Sequence, residues 1–276
     1  MFRRLRERRR RRLRQTPLPP NWWAIIDRRV PMIREMGDDD RAELGGLVRV
    51  LLAEKRFEGV GGLEMTDEIR VTIAAQAAVL LLHRETRFYP TLRTILVYPA
   101  AYRATSTKAN PDGTVTEGAQ VRLGESWHRG AVVLSWSDVV RGAADDHDGH
   151  NVVLHEFAHQ LDGENGQVNG APALPSAARY RAWARVLGHE FEAMIESLHQ
   201  GHRTLLDPYG AVSPPEFFAV ATEHFFERPH AMRRHHPDLY EQLSLFYRQD
   251  PASRGPSPEQ PDDRHEADES DHHPDD

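Results

Sequence analysis

Residues 151–162 read Asn-Val-Val-Leu-His-Glu-Phe-Ala-His-Gln-Leu-Asp, and Gly163 follows them. Four apolar residues recur at positions i, i+3, i+4 and i+7 of this stretch: Leu154, Phe157, Ala158 and Leu161. This spacing predicts a helix whose apolar stripe faces the core and which stops near Gly163.

Two histidines, His155 and His159, share a second face of the predicted helix, one turn apart. Imidazoles at this spacing can bind a single zinc ion at roughly 2.0 to 2.1 Å. Glu156 lies beside the first histidine, and its carboxylate can take a proton from zinc-bound water, whose pKa falls to roughly 7. The pattern therefore predicts a metal-dependent hydrolase.

A third metal ligand is needed, and a second helical signal begins at Ser213-Pro-Pro-Glu-Phe-Phe. Glu216 is one candidate, but Ser213-x-x-Glu216 is equally a capping box, in which the glutamate satisfies a backbone amide. Glu223, two turns later on the same face, is a competing ligand or an outer carboxylate. Asp162 is the other competitor, although a hydrogen bond to a ligand imidazole suits its position better.

The remaining patterns separate a mixed first half from a helical second half. Helix N-caps are predicted at Asp39 or Asp40 and at Thr66. The segments Thr94 to Tyr98 and Ala131 to Trp136 have the β-branched and aromatic composition of strands. These patterns favour an α+β protein with a small mixed sheet before a mostly helical lobe.

The loop Asp145-Asp-His-Asp-Gly-His150 precedes the histidine helix. An N-cap at Asp148 or nearby is the favoured interpretation, and a second metal site is the alternative.

Composition excludes several classes of protein. The 276 residues contain no cysteine, which excludes disulfides, thiolate metal sites and a cysteine nucleophile and fits a cytoplasmic protein. The longest apolar run, Ile73 to Leu82, is too short for a membrane span. The net charge of −7 argues against direct binding of nucleic acid.

Charge is distributed unevenly along the chain. Residues 1–14 hold nine Arg and one Glu, whereas residues 249–276 hold ten Asp or Glu and two Arg. We therefore expect an Arg-rich flexible arm over residues 1–19, a single catalytic domain over 20–250, and an acidic disordered tail over 251–276.

The motif His155-Glu-Phe-Ala-His-Gln-Leu-Asp162, together with Tyr209-Gly and Pro215-Glu-Phe-Phe-Ala-Val, resembles the Mlc titration factor A family of bacterial zinc peptidases, which is similar to the catalytic domain of anthrax lethal factor. Upstream segments share the resemblance: Lys55-Arg-Phe-Glu-Gly59, Arg93-Thr-Ile-Leu-Val-Tyr-Pro99, and Gly124-Glu-Ser-Trp-His-Arg-Gly-Ala-Val-Val-Leu-Ser-Trp136. The resemblance runs from about Pro20 to Asp250 and leaves both termini outside.

The resemblance implies a zincin-like fold and a gluzincin site. His155, His159 and Glu216 would bind one zinc ion per chain, and Glu156 would be the general base. Tyr209, seven residues before Glu216, would donate a hydrogen bond to the developing oxyanion, although it also suits a simple turn tyrosine.

The implied function is zinc-dependent hydrolysis of peptide bonds in a peptide or protein substrate. In zincins, the strand before the metal helix, here Ala131 to Trp136, is an edge strand that pairs with the substrate backbone; a plain core strand is the alternative. The family also implies a link to a transcriptional repressor of sugar uptake. The alternative function is a weakly catalytic or non-catalytic regulator that binds such a repressor.

Overall fold

The computed structural model describes residues 2–100, 105–109, 115–119 and 130–254. Its α-helices are α1 (Phe2–Arg14), α2 (Pro20–Arg29), α3 (Asp38–Glu54), α4 (Asp67–Val79), α5 (Trp136–Ala144), α6 (Val152–Asp162), α7 (Ala177–His199), α8 (Pro214–Glu227), α9 (Pro229–His235) and α10 (Pro237–Tyr247). Its strands are β1 (Arg56–Gly59), β2 (Thr94–Tyr98), β3 (Thr105–Ala109), β4 (Val115–Ala119) and β5 (Ala131–Ser135).

Strands β1, β2 and β5 form one sheet in that order, with all three strands parallel. Parallel pairing follows from the connections, because helix α4 lies between β1 and β2 and a parallel pair needs such a crossover. Strands β3 and β4 form a separate antiparallel pair. The predicted α+β class is confirmed. Among the described strands, one sheet is entirely parallel and the other is antiparallel, so neither sheet is itself mixed.

The predicted strands lie where the sequence placed them. Strand β2 spans Thr94–Tyr98, and β5 begins at Ala131 but ends at Ser135, one residue before its predicted end, because Trp136 begins α5. Alternate residues of both strands are buried, among them Ile95 and Val132. Within the described residues β5 pairs only with β2, so it is an edge strand there. The part of the family motif from Gly124 to Arg129 lies outside the described residues.

Two helix starts test the predicted N-caps. Thr66 caps α4, and its hydroxyl accepts a hydrogen bond from the backbone N–H of Ile69. Helix α3 begins at Asp38 with Gly37 as its N-cap, two residues before the nearer of the two predicted caps. Asp39 and Asp40 instead lie in its first turn, where their negative charges interact favourably with the positive end of the helix dipole.

The N-terminal segment differs from the predicted arm, because Phe2–Arg14 is a helix packed on α3. Arg10 is 5% exposed and donates two hydrogen bonds of 2.8 Å to the carboxylate of Glu54. Its guanidinium also lies 4.6 Å from the ring centroid of Phe88. Composition alone missed this docking, because the contact is made by a charged side chain and not by an apolar stripe.

Glu54 supplies a prediction about acid stability. Burial alone would raise the pKa of Glu54, but hydrogen bonds from Arg10 and Arg6 outweigh it and lower this pKa to about 2. We expect Glu54→Gln to lower the free energy of unfolding by about 2 kcal/mol at pH 7, because it leaves Arg10 buried without its ion pair.

The difference in the free energy of unfolding between the unmodified chain and Glu54→Gln depends on the ionisation of the Glu54 carboxyl group. A lowered folded-state pKa stabilises the protein above the unfolded value near 4.5, and the contribution disappears as the pH falls toward 2. Urea unfolding of both proteins from pH 7 downward measures this. The control is Glu7→Gln, because Glu7 also pairs with Arg10 but is exposed. Equal losses in the two variants would contradict the prediction.

The described chain continues past the predicted domain boundary at residue 250. Pro251–Ser253 forms a 3₁₀ turn in which Pro251 and Ala252 are buried. Arg254 donates a hydrogen bond of 3.3 Å to Asp40 at the start of α3. The rest of the predicted tail, residues 255–276, lies outside the described residues. None of the described helices combines the length and apolarity that a membrane span requires.

Candidate metal centre

Helix α6 carries the two histidines and follows the predicted pattern. Its four apolar stripe residues are all buried: Leu154, Phe157, Ala158 and Leu161. The N-cap was expected at Asp148 or nearby and is Asn151, whose side-chain oxygen accepts hydrogen bonds from the backbone N–H groups of Val153 and Leu154. Asp148 instead accepts one from the backbone of His150. Helix α6 packs against α8.

Helix α8 carries the third candidate ligand. The hydroxyl of Ser213 accepts a hydrogen bond from the backbone N–H of Glu216, and Pro214 begins the helix. The capping-box alternative is therefore half fulfilled. The Glu216 side chain contacts the imidazoles of His155 and His159, so the carboxylate remains directed at the candidate site.

Three donor atoms meet between α6 and α8. The Oε2 atom of Glu216 lies 3.0 Å from Nε2 of His155 and 3.3 Å from Nε2 of His159, and the two Nε2 atoms are 3.2 Å apart. Ligands of a tetrahedral zinc ion at 2.0 to 2.1 Å are separated by about 3.3 Å. The cluster is thus able to hold one metal ion, and no second cluster of this kind occurs among the described residues.

Glu223 and Asp162, the competing ligands, do not join this cluster. Glu223 lies 2.9 Å from Nδ1 of His155, on the side of the ring away from Glu216. Asp162 accepts a hydrogen bond of 2.7 Å from the backbone N–H of Gly170. The expected hydrogen bond to a ligand imidazole is thus made by Glu223, because α8 and not α6 faces that ring edge.

The three side chains of the cluster differ in their pKa values. Burial lowers the pKa of His155, but hydrogen bonds to Glu216 and Glu223 outweigh it and raise this pKa to about 10. Burial also raises the pKa of Glu216, yet the two imidazoles lower it to about 2. For His159 burial dominates and lowers the pKa to about 4. Glu216 is therefore ionised and His159 neutral at pH 7, as metal ligands must be, whereas His155 is protonated and has to release a proton when it binds a metal.

Glu156, the candidate general base, is 2% exposed. Its Oε2 atom has no hydrogen-bond partner among the described residues. Burial is the largest cause that raises the pKa of Glu156, to about 8, and the charges of Glu216 and Glu223 add to it while His155 opposes it. A carboxyl group whose pKa lies near the working pH suits proton transfer.

Tyr209 lies at the rim of the cluster, on the 3₁₀ turn Pro208–Val212. Its ring centroid is 6.1 Å from that of His155, and its side chain is 53% exposed. Partial burial raises the pKa of Tyr209, and the charges of Glu216 and Glu156 raise it further. The phenol therefore stays protonated and able to donate a hydrogen bond.

Sequence reasoning missed two residues that link α6 to α8. Asn151 donates through its backbone N–H to Glu223 at 2.7 Å and through its side-chain amide to Glu227 at 2.9 Å. Burial raises the pKa of Glu227 to about 9, so its carboxyl group is protonated at neutral pH. The available signal was the recurrence of Glu216, Glu223 and Glu227 along one face of α8.

The role of Glu223 as a hydrogen-bond partner can be measured. We expect Glu223→Gln to weaken metal binding by about 10- to 100-fold, because the amide no longer attracts the Nδ1 proton of His155 as a carboxylate does. Competition with a metal-binding dye reports the affinity. The control is Glu196→Gln on the exposed face of α7. An affinity equal to that of the unmodified chain would contradict this role.

Fold and site together define a class: an α+β, zincin-like protein whose paired helices bring two imidazoles and a carboxylate into one cluster able to hold a metal ion. The model of the glucose-regulated metallo-peptidase M90 family matches residues 4–248, and the chain belongs to this family of metallopeptidases. The match includes most of α1, so the family region begins before the expected boundary at Pro20.

Individual relatives agree with the family assignment. An uncharacterized protein of Synechocystis sp. is 41% identical over 235 residues, covering 84% of this chain and 85% of the relative. Mlc titration factor A of Pectobacterium atrosepticum is 30% identical over 237 residues, covering 85% and 88%. The protein of the same name from Yersinia pestis is 31% identical over 244 residues, covering 87% and 88%. The resemblance stated from the sequence is confirmed.

Proposed function

We propose that this chain is a zinc-dependent peptidase in which His155, His159 and Glu216 hold one zinc ion. The observation that carries the proposal is the triangle of donor atoms with sides of 3.0, 3.2 and 3.3 Å. Two imidazole nitrogens and one carboxylate oxygen form a donor set typical of catalytic zinc, with three protein ligands.

The residues around the triangle have distinct proposed roles. When bound, zinc lowers the pKa of water to about 7 and polarises a substrate carbonyl. Glu156 accepts the proton of the attacking water and later passes it to the leaving amine. Tyr209 donates its phenolic proton in a hydrogen bond to the oxygen that becomes negatively charged. The edge of β5 that no other described strand pairs with offers hydrogen bonds to an extended peptide.

A second candidate function is regulation through binding of a transcriptional repressor, with weak hydrolysis or none. It is favoured by the name that two relatives share, Mlc titration factor A. A binding protein has no need for a buried base, however, and Glu156 is 2% exposed beside the triangle of donor atoms. Hydrolysis is therefore the preferred function.

Metal analysis and a peptide-library digest test the proposal together. We expect one zinc per chain after dialysis, and peptide cleavage that a chelator abolishes and zinc restores. The double variant His155→Ala/His159→Ala should lose both properties, whereas His147→Ala, at an exposed histidine outside the cluster, should keep both. Full zinc occupancy in the double variant would contradict the ligand assignment. Stoichiometric zinc without any cleavage would favour the regulatory function.

A further inference from the structure

Helix α1 presents arginines that its packing on α3 does not use. Its inner side is occupied, because Arg6 and Arg10 bind Glu54 and Arg14 binds Glu43. Four other arginines are exposed, and none of their guanidinium groups forms an ion pair or hydrogen bond with the described residues: Arg4, Arg8, Arg11 and Arg12. We call these four residues the arginine face.

A concave surface adjoins the C-terminal part of this helix. A cavity of about 610 Å³ is lined there by Arg11 of the arginine face, by Arg10 and Arg14, and by Phe88. Two acidic residues, Glu7 and Glu43, also line it, but they are paired with Arg10 and Arg14. Arg11 therefore contributes a positive charge to the cavity that no carboxylate there neutralises.

The last described residue lies close to this surface. Arg254 binds Asp40, and Arg14 binds Glu43, one turn further along α3. Asp40 and Glu43 also contact the same side chain, His83, at 3.1 and 3.2 Å. The chain therefore leaves the described fold within about one helical turn of the C-terminal end of α1.

The residues that follow have the opposite charge. Residues 255–276 contain nine Asp or Glu and one Arg, whereas Phe2–Arg14 contains nine Arg and one Glu. We propose that the acidic segment 255–276 binds the arginine face of α1 in the same chain.

Distance and concentration support an intramolecular contact. Ten residues of chain reach at most about 33 to 36 Å, and a helix of 13 residues is about 20 Å long, so the acidic residues are able to reach the whole arginine face from residue 254. Individual exposed ion pairs contribute only about 0.2 to 1 kcal/mol, so binding depends on several pairs acting together. Tethering supplies an effective concentration in the millimolar range, which suits such weak and multiple contacts.

Distance measurements between two labels on the full chain test the proposal. The chain has no cysteine, so Leu5→Cys, at an exposed position on α1, and Ser270→Cys accept spin labels selectively. Double electron–electron resonance then gives the separation between α1 and the acidic segment. We expect a population of short separations, within about the 20 Å length of α1, at low salt.

Two sets of substitutions should remove this population. One neutralises the acidic segment by replacing Asp or Glu with Asn or Gln: Asp262, Asp263, Glu266, Asp268, Glu269 and Asp271. The other replaces the arginine face with Gln. Salt at 1 M should have the same effect, because it shortens the screening length to about 3 Å. The matched control, Arg181→Gln with Arg185→Gln on the exposed face of α7, should leave the short separations unchanged.

Three results would overturn the proposal. Short separations that survive replacement of the arginine face would place the acidic segment elsewhere. Identical distance distributions with acidic and neutralised segments would show that charge does not hold it. Short separations found between singly labelled chains after mixing, and absent within one chain, would show that the arginine face binds a second copy.

Discussion

Glu156→Gln is expected to retain zinc and to lose peptide hydrolysis by about 10²- to 10⁴-fold in kcat/KM. Glutamine has the shape of glutamate, but its amide cannot accept the proton of the attacking water. Because Glu156 is not among the three donor atoms of the cluster, the metal content should stay at one zinc per chain. Elemental analysis and cleavage of a fluorogenic peptide measure the two properties on the same preparation.

A matched control separates catalysis from charge. Glu196→Gln removes one carboxylate from the exposed face of α7 and should leave both zinc content and turnover unchanged. The fold should tolerate Glu156→Gln, since Oε2 of Glu156 has no hydrogen bond to lose among the described residues. If Glu156→Gln retained turnover within a few-fold of the unmodified chain, another group would have to be the base.

Local sequence signals predicted the elements that carry the site. The apolar stripe through Leu154 and Leu161 predicted α6 and its buried face, and β2 has the predicted bounds at both ends. These features depend on residues close together in the sequence. The cluster of His155, His159 and Glu216 was proposed from spacing and resemblance, and its assembly depends on the packing of α6 against α8.

Features that depend on long-range contacts were not predictable in this way. Spacing placed Glu216 and Glu223 on the same face of α8, but it did not reveal that they meet opposite edges of the His155 ring. Composition likewise indicated a solvated N-terminal arm, although Arg10 is buried against Glu54, which is 44 residues away in the sequence. A charged side chain reveals such a partner only in the folded chain.

Glu216→Ala is expected to abolish stoichiometric zinc binding, because it removes the only carboxylate among the three donor atoms of the cluster. The loss should exceed the 10- to 100-fold expected for Glu223, which contacts the imidazole and not the site of the metal. Helix α8 should still form, since the hydroxyl of Ser213 binds the backbone N–H of residue 216, which alanine keeps.

This separation of roles makes the comparison of the two glutamates decisive. If Glu216 served only as a capping residue, its replacement would cost about 1 kcal/mol of stability and leave a folded protein with its full zinc content. If it is a ligand, circular dichroism should show a folded chain and elemental analysis should show little zinc. Glu216→Ala with normal zinc content, together with Glu223→Ala without zinc, would identify Glu223 as the ligand. The opposite result is expected, because Oε2 of Glu216 lies within 3.3 Å of both Nε2 atoms, whereas Glu223 faces only Nδ1 of His155.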